Sequence, residues 1–404
     1  MLLAVLQGVL LAAALALCVP VAVLTIQVFS ATRARRLPLR PEDAALDRCA
    51  RPDIAVLMPA HNEAEGVAAS IASVLAQLAP GDRLLVVADN CTDDTACIAR
   101  SAGAAVVERR DEARRGKGYA LDFGVRALAS SPPAVVVVVD SDCVVAPLAI
   151  DRIARLSVAT GRPVQSLYLM KSPTGAPLKT RIAEFAWIVK NEVRALGYHR
   201  LGLPCQLMGS GMAFPWSIIS TAPLASGHIV EDLKLGLELA ASGTPPLYCP
   251  QALVTSVFPS TASGLASQRT RWEHGHLAII VTMGLPLLRQ ALVRRQGALA
   301  AMALDVCVPP LTTLVVALAA VLVVSAATAW LGTPLFALLV SVAAMATLTA
   351  SLAAAWRRFG RKAVSLRELG TVPLYVLGKM PMYARMMWRR QTEWVRTERD
   401  DGPR

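Results

Sequence analysis

Charged side chains are scarce in this chain: they make up 17% of its 404 residues, against a hydrophobic share of 54%. That balance excludes a disordered or collagen-like polymer, and it is apolar even for a soluble globular protein. The eight cysteines include no pair at CxxC spacing. A zinc site or a small disulfide framework is therefore disfavoured, and free thiols in a reducing compartment are expected. Two familiar phosphate loops are missing as well. No GxGxxG follows the first apolar strand, and Gly116-Lys117-Gly118 lacks the upstream glycine and trailing Ser/Thr of a P-loop. A phosphate-bearing ligand would then have its charge met in another way, for which a metal ion is the obvious candidate. Acidic residues are the minority, with Asp+Glu 29 against Lys+Arg 41 and a net charge of +12. Such an excess suits nucleic acid, an anionic membrane face or a phosphate-bearing substrate, and the placement of the charges decides among them.

From Leu2 to Phe29 there is no charged side chain, which at about 1.5 Å per residue is enough to cross a bilayer. A cleaved signal peptide would need its basic leader first, yet Arg33, Arg35, Arg36 and Arg40 come afterwards. Residues 1–30 are therefore expected to form a retained membrane helix with its C-terminal end in the cytoplasm. Two more spans are expected within 306–355, joined by Trp330-Leu331-Gly332-Thr333 and followed by the basic run from Arg357 to Lys362. Leu277 to Leu288 is apolar but short, so 277–300 is expected to lie in the interface. The 369–390 segment, with Lys379 and Arg385 among Pro, Tyr and Met, reads as an amphipathic interfacial helix or a fourth membrane helix, before a cytoplasmic tail at 391–404. The arginines thus flank membrane segments, and a nucleic-acid partner is unnecessary.

Residues 51–276 form a domain-sized stretch. Ile54 to Met58, Leu84 to Ala88, Ala105 to Val107 and Ala134 to Val139 are short apolar runs with the character of buried strands. Between them, Asn62 and Glu65 can cap a helix with apolar positions Val67, Ile71, Val74 and Leu78. Further helices are expected from Thr95 and from Tyr119 to Leu128. Alternating strands and helices imply a largely parallel, doubly wound sheet with its ligand site beyond the carboxyl ends of the strands. His61-Asn62-Glu63, Asp89-Asn90 and Asp140-Ser141-Asp142 all fall there.

Asp140 and Asp142 end a run of valines, and one intervening residue lets both carboxylates reach a hard cation such as Mg2+ or Mn2+. An Asp-x-Asp is otherwise a common pair of solvated loop charges. Downstream stand Gly209-Ser210-Gly211-Met212, Glu231-Asp232 and Gln268-Arg269-Thr270-Arg271-Trp272. Glu231 and Asp232 could simply favour the positive end of a helix dipole, and Gln268 to Trp272 could be an ordinary basic helix face.

Taken in order, Pro59-Ala60-His61-Asn62-Glu63, Asp89 with Thr92-Asp93, Lys117, Asp140-x-Asp142, Glu231-Asp232 and Gln268-x-x-Arg271-Trp272 resemble the membrane-embedded family 2 glycosyltransferases. That group includes cellulose, hyaluronan and chitin-oligosaccharide synthases. The resemblance covers nearly the whole chain. It implies an α/β architecture: a GT-A, Rossmann-like, mostly parallel-sheet cytoplasmic domain plus transmembrane helices, integral to the cell (inner) membrane. It also implies roles. Pro59, Asn62, Glu63 and Asp89 would line the nucleoside pocket, and Lys117 would face the ribose or diphosphate. Asp140 would hold donor and metal, with Asp142 the more direct ligand of Mg2+ or Mn2+. Asp232, beside Glu231, would be the general base. Gln268 and Arg271 would contact the diphosphate, and Trp272, with Gly209 and Ser210, would bind the acceptor.

An inverting transfer needs one base and positive charge on the leaving diphosphate, and this residue set supplies both. The implied partners are a nucleotide-sugar donor (a UDP-sugar), a lipid-linked or glycan acceptor, membrane lipid, and oligomer or export partners. Two features depart from the family pattern. Ala88 stands where a second acidic residue often precedes Asp89, and His274 and His276 follow Trp272, where either could serve as a third metal ligand or as a plain polar contact. A processive synthase and an inactive membrane scaffold of the same fold are the alternative readings.

Overall fold

The computed structural model describes residues 2–33, 50–259 and 261–370. The expected 391–404 tail and nearly all of the 369–390 helix lie outside these residues. The described residues divide into two compact units, one of 50–176 and 202–275, the other of 2–33, 177–201 and 276–370. This division differs from a continuous 51–276 domain, because Pro177–Leu201 groups with the long helices. A local sequence pattern carries no record of such an excursion.

In the α/β unit the apolar runs are strands. They are β1 (Ile54–Ala60), β2 (Arg83–Asp89), β3 (Ala105–Arg109), β4 (Val135–Val138), β5 (Val144–Val145), β6 (Val164–Lys171), β7 (Met212–Pro215) and β8 (Leu247–Val257). Among the described residues they form one eight-stranded sheet in the order β3-β2-β1-β4-β7-β6-β8-β5. β1 and β4 are buried along their whole length, as strands covered on both faces should be. Leu57, Val87, Leu121, Val136, Phe214 and Leu235 belong to one core cluster.

The first four strands are parallel, β2 and β4 flanking β1 and β3 pairing with β2. Beyond β4 the sheet is mixed: β7 runs antiparallel to β4 and β6, β6 and β8 are parallel, and β5 is antiparallel to β8. The expectation of a mostly parallel sheet thus describes the first half, where every strand alternates with a helix. The helices at Val67–Leu75, Thr95–Ser101 and Lys117–Leu128 match the expected positions. The Asn62 cap does not form. That helix starts at Val67 after Gly66, while the Asn62 side chain accepts from the Thr92 amide at 2.7 Å and donates to the Thr92 hydroxyl at 3.1 Å.

Among the described residues four helices are long and apolar enough, by length and composition, to cross a membrane: Leu3–Arg33, Gln268–Val293, Leu311–Trp330 and Phe336–Gly360. The second differs from the expected interfacial segment at 277–300. Helix Ala262–Ile279 continues through a π-helical turn, Ile280–Gly284, into Leu285–Val293, so the apolar stretch is longer than Leu277 to Leu288 indicated. A separate helix, Gly297–Val306, ends before Pro309-Pro310, and the next helix begins at Leu311, as the missing proline amide requires.

The helical unit contains a buried polar knot. Arg194 donates to the Asp305 carboxylate at 2.7 and 3.2 Å and to its carbonyl at 2.6 Å, and Gln27 donates to the same carboxylate oxygen at 2.6 Å. Nearby, a Cβ on Gly197 would lie 2.1 Å from the Gln27 carbonyl, so this crossing requires glycine. Arg194 and Asn191 are both buried, and Arg181 pairs with Glu368 at 3.0 Å.

Removing one partner of a buried ion pair leaves the other charge uncompensated, at a cost of about 3–5 kcal/mol. Asp305→Ala is therefore expected to lower the thermal midpoint of the detergent-solubilised protein sharply. The Arg194→Ala/Asp305→Ala double variant should recover part of that loss. Additive losses in the thermal melts would contradict the coupling.

Candidate active site

Three parallel strands end side by side and deliver their loops to one edge: β1 carries Asn62 and Glu63, β2 carries Asp89, and β4 carries Asp140 and Asp142. Across that edge, helix Lys117–Leu128 begins with Lys117 and helix Glu231–Ala241 begins with Glu231 and Asp232. Both helices thus present side chains from their first turns. The two acidic residues sit in the first turn, at a positive dipole end.

Lys117 is the hub. Its Nζ lies 2.5 Å from Asp140 Oδ1 and 3.9 Å from Glu231 Oε1, and it donates to the Gly209 carbonyl at 2.7 Å. Gly209 has φ +95°, and a Cβ there would lie 3.3 Å from Asp232 Oδ2 and 3.7 Å from Lys117 Nζ. Glycine therefore keeps this side of the cleft open and meets the backbone requirement at the same position. Asp140, Glu231, Asp232, Lys117 and Gly209, far apart in sequence, are brought together.

The charges shape one another. Burial opposes the charge on Lys117, but Asp140 and Glu231 outweigh it and hold the ammonium well above its usual value. Burial raises the Asp140 carboxyl, with Lys117 pulling it down and Asp142 and Asp232 pushing it up. Burial also pushes the Glu231 carboxyl up to about 8, against Lys117 and with the help of Asp232.

Asp140, Asp142 and Cys143 form a metal-competent group, with one ligand atom from each lying within 4.8 Å of the others. Asp142 is held from β8, whose Ser256 hydroxyl donates to Oδ2 at 2.8 Å. Ser210 accepts from the Asp140 amide at 3.1 Å and is fully buried. Its side chain therefore braces the carboxylate loop. His274 and His276 are outside this group among the described residues, and His276 Nε2 lies 2.8 Å from the Val306 carbonyl. Nothing in the sequence marks Cys143, because a lone thiol there carries no spacing signal.

At the end of β2 Asp89 is buried, and its Oδ1 accepts from Arg109 at 2.6 Å and from Asn90 at 3.1 Å. Arg109 also reaches Asp111 and the Arg114 carbonyl and lies 5.6 Å from the centroid of the Tyr119 ring. Sequence reasoning missed Arg109, since nothing in the chain marks it as the partner of a residue on the neighbouring strand. His61 Nδ1 lies 2.6 Å from the Asp89 carbonyl. Pro59 is buried within β1, in register with Val87, while Glu63 uses its amide to donate to Thr95 at 2.8 Å.

Gln268, Arg271 and Trp272 lie on helix Ala262–Ile279. Gln268 is buried, and its Oε1 has no hydrogen-bond partner among the described residues. One turn after Trp272's neighbour Arg271, Gly275 packs so closely on Val230 that a Cβ would lie 2.8 Å from its side chain. This ties the helix to the residue before Glu231-Asp232.

Comparison with known proteins identifies relatives of this chain. Over 89 residues the chain is 44% identical to an uncharacterized glycosyltransferase of Mycobacterium tuberculosis, matching 22% of this chain and 36% of that protein. It is 41% identical over 66 residues to the 4,4'-diaponeurosporenoate glycosyltransferase of Staphylococcus aureus, 16% of this chain and 17% of that one. The matches thus span about a third or less of these curated relatives. A mannosyltransferase of Pyrobaculum calidifontis, solved with GDP-Man and Mn2+, superposes with a TM-score of 0.53 at 18% identity, over 86% of this chain and 97% of that one. This likeness shows a shared GT-A fold. The family model described as glycosyltransferase like family 2 matches residues 52–275, more than half of the chain, and the protein belongs to that family.

Proposed function

We propose that the protein is an inverting, metal-dependent glycosyltransferase that moves a sugar from a UDP-sugar donor to a lipid-linked or growing glycan acceptor. The reaction would take place at the cytoplasmic face of the cell membrane, in envelope or exopolysaccharide synthesis. The observation that carries the reading is the cluster in which one ammonium, Lys117, meets Asp140 and Glu231 beside Asp232. It supports a reading in which Asp140 serves the donor side and Asp232 the base side of one site. Four helices of spanning length and composition support a membrane setting, and the Arg33 end of the first supports a cytoplasmic catalytic face.

The carboxylates of Asp140 and Asp142, with the adjacent thiol, fit a divalent cation such as Mg2+ or Mn2+, which when bound would neutralise the donor diphosphate. Asp89, fixed by Arg109, would meet the base, with Asn62, Glu63 and Pro59 shaping that end. The acceptor hydroxyl gives its proton to a carboxylate oxygen of Asp232 as its oxygen bonds to the anomeric carbon. The bond from that carbon to the diphosphate oxygen breaks with inversion. Lys117, Gln268 and Arg271 receive the charge that develops on the leaving group, and guanidinium geometry suits phosphate oxygens. Trp272 offers a flat apolar face to the acceptor sugar.

A metal-supplemented screen of nucleotide sugars against membrane lipids, read by mass spectrometry, tests the reading, and no transfer with any donor would refute it. A single added sugar is the expected product. The fourth span-length helix keeps the processive synthase as a second reading, and a ladder of product lengths from purified protein would establish it instead.

Asp232→Asn should lower kcat by about 10²–10⁴-fold while donor affinity stays within a few-fold. Calorimetric loss of donor binding would remove Asp232 from the base role. Glu231 supplies a pH test. Its folded value of about 8 lies above the ordinary 4.5, so the folded state binds the extra proton between these values. Stability from this group is complete below about 4.5 and is lost as pH rises through about 8. Glu231→Gln is therefore expected to raise the thermal midpoint relative to wild type more at pH 8.5 than at pH 5. An equal offset at both pH values would contradict the assignment.

A further inference from the structure

Asp142 has two carboxylate oxygens with different surroundings. Oδ2 accepts a hydrogen bond from Ser256 at 2.8 Å, while Oδ1 lies 3.5 Å from the Sγ of Cys143. The sheet register sets this up. β5 and β8 pair antiparallel with Val144 opposite Thr255, so the next rung brings Ser256 toward the Asp142-Cys143 step. Ser256 is buried and Cys143 is completely buried, which leaves both groups little freedom to turn away. Lys117 takes Asp140 Oδ1 on the other flank. A cation that meets Oδ1 of Asp142 has the Cys143 sulfur as its neighbour.

The spacing suits two donors on one ion. With a metal–sulfur distance of about 2.3 Å and a metal–oxygen distance of about 2.1 Å, adjacent ligands lie roughly 3.1 Å apart at a right angle and about 3.6 Å apart at the tetrahedral angle. The observed 3.5 Å falls between these values. Mg2+ takes oxygen ligands in near-octahedral geometry and gains little from sulfur. Thiolates favour softer divalent ions.

We propose that the Cys143 thiolate is a third protein donor to the cation held by Asp140 and Asp142, and that it makes this site favour Co2+, Zn2+ and Cd2+ over Mg2+. The inference rests on the transferase reading for the presence of a cation, and it concerns which ion is held. On binding, the sulfur–metal bond forms and the thiol proton passes to solvent, so one more proton is released than in a protein lacking the thiol. Ser256 acts through Asp142 as a positioning residue, fixing which oxygen faces the sulfur.

The test uses the full-length protein in detergent, without nucleotide. Co2+ addition should produce a sulfur-to-cobalt charge-transfer band in the near ultraviolet that is lost in both Cys143→Ser and Asp142→Asn and retained in Cys91→Ser and Cys97→Ser. Calorimetry should show Cd2+ affinity falling at least about tenfold in Cys143→Ser, with Mg2+ affinity changed by less than about threefold and the extra proton no longer released. Ser256→Ala should weaken both ions, and Ser256→Thr should restore them. A wild-type spectrum with no such band, a band that survives Cys143→Ser, or parallel losses for Cd2+ and Mg2+ would overturn the proposal. If no Cys143 variant folds, the wild-type band and its loss in Asp142→Asn still decide. Sugar transfer enters none of these readouts, so their failure and the failure of the transferase reading are separate results.

Discussion

One ammonium group, that of Lys117, lets several carboxylates share a cleft. Asp140, Glu231 and Asp232 would repel one another if brought together without compensation, and burial adds a desolvation cost to each charge. Lys117 offsets this with short contacts to Asp140 and the Gly209 carbonyl and a longer one to Glu231. The surplus negative charge that remains is visible in Glu231, which burial and Asp232 hold toward its neutral form. A site poised in this way has an affinity for further positive charge, and the adjacent Asp140-Asp142-Cys143 group is where a cation fits.

Around this hub the fold works by bracing. Ser210 holds the Asp140 backbone, Ser256 holds Asp142, and Arg109 holds Asp89. Each brace comes from a segment far along the chain from the residue it steadies or from a neighbouring strand. Ser256 and Arg109 each engage one carboxylate oxygen, Asp142 Oδ2 and Asp89 Oδ1, while Ser210 accepts from the Asp140 amide. Preorganisation of this kind lowers the cost of ordering the site when a ligand arrives. The helical unit follows the same rule with different chemistry, where Arg194, Asp305 and Gln27 satisfy one another in surroundings that water cannot reach. Ionisable groups in apolar surroundings persist when they are paired.

Much of the first half of the α/β unit was legible from pattern. Four apolar runs became β1 to β4 because strands covered on both faces read as continuous hydrophobic stretches. The Asp140-Asp142 pair could be placed because it follows such a strand directly. Asn62 was misread as a cap, since its side chain bonds to Thr92 on the next loop and local spacing is blind to that neighbour. Beyond β4, alternation fails: β7 reverses direction and Pro177–Leu201 leaves for the helical unit. The π-helical continuation to Val293 lengthened a stretch that composition alone placed in the interface.

The amino-acid order by itself determined the hydrophobic periodicities, the apolar stretches of spanning length and the ordered set of motif residues. These are properties of near neighbours, and residues a few positions apart carry them. Tertiary structure alone decided which atoms meet: Lys117 with Asp140 and Glu231, Arg109 with Asp89, and Ser256 with the oxygen of Asp142 that lies away from Cys143. Such pairings depend on strand order and register, which long-range packing sets and local sequence does not encode.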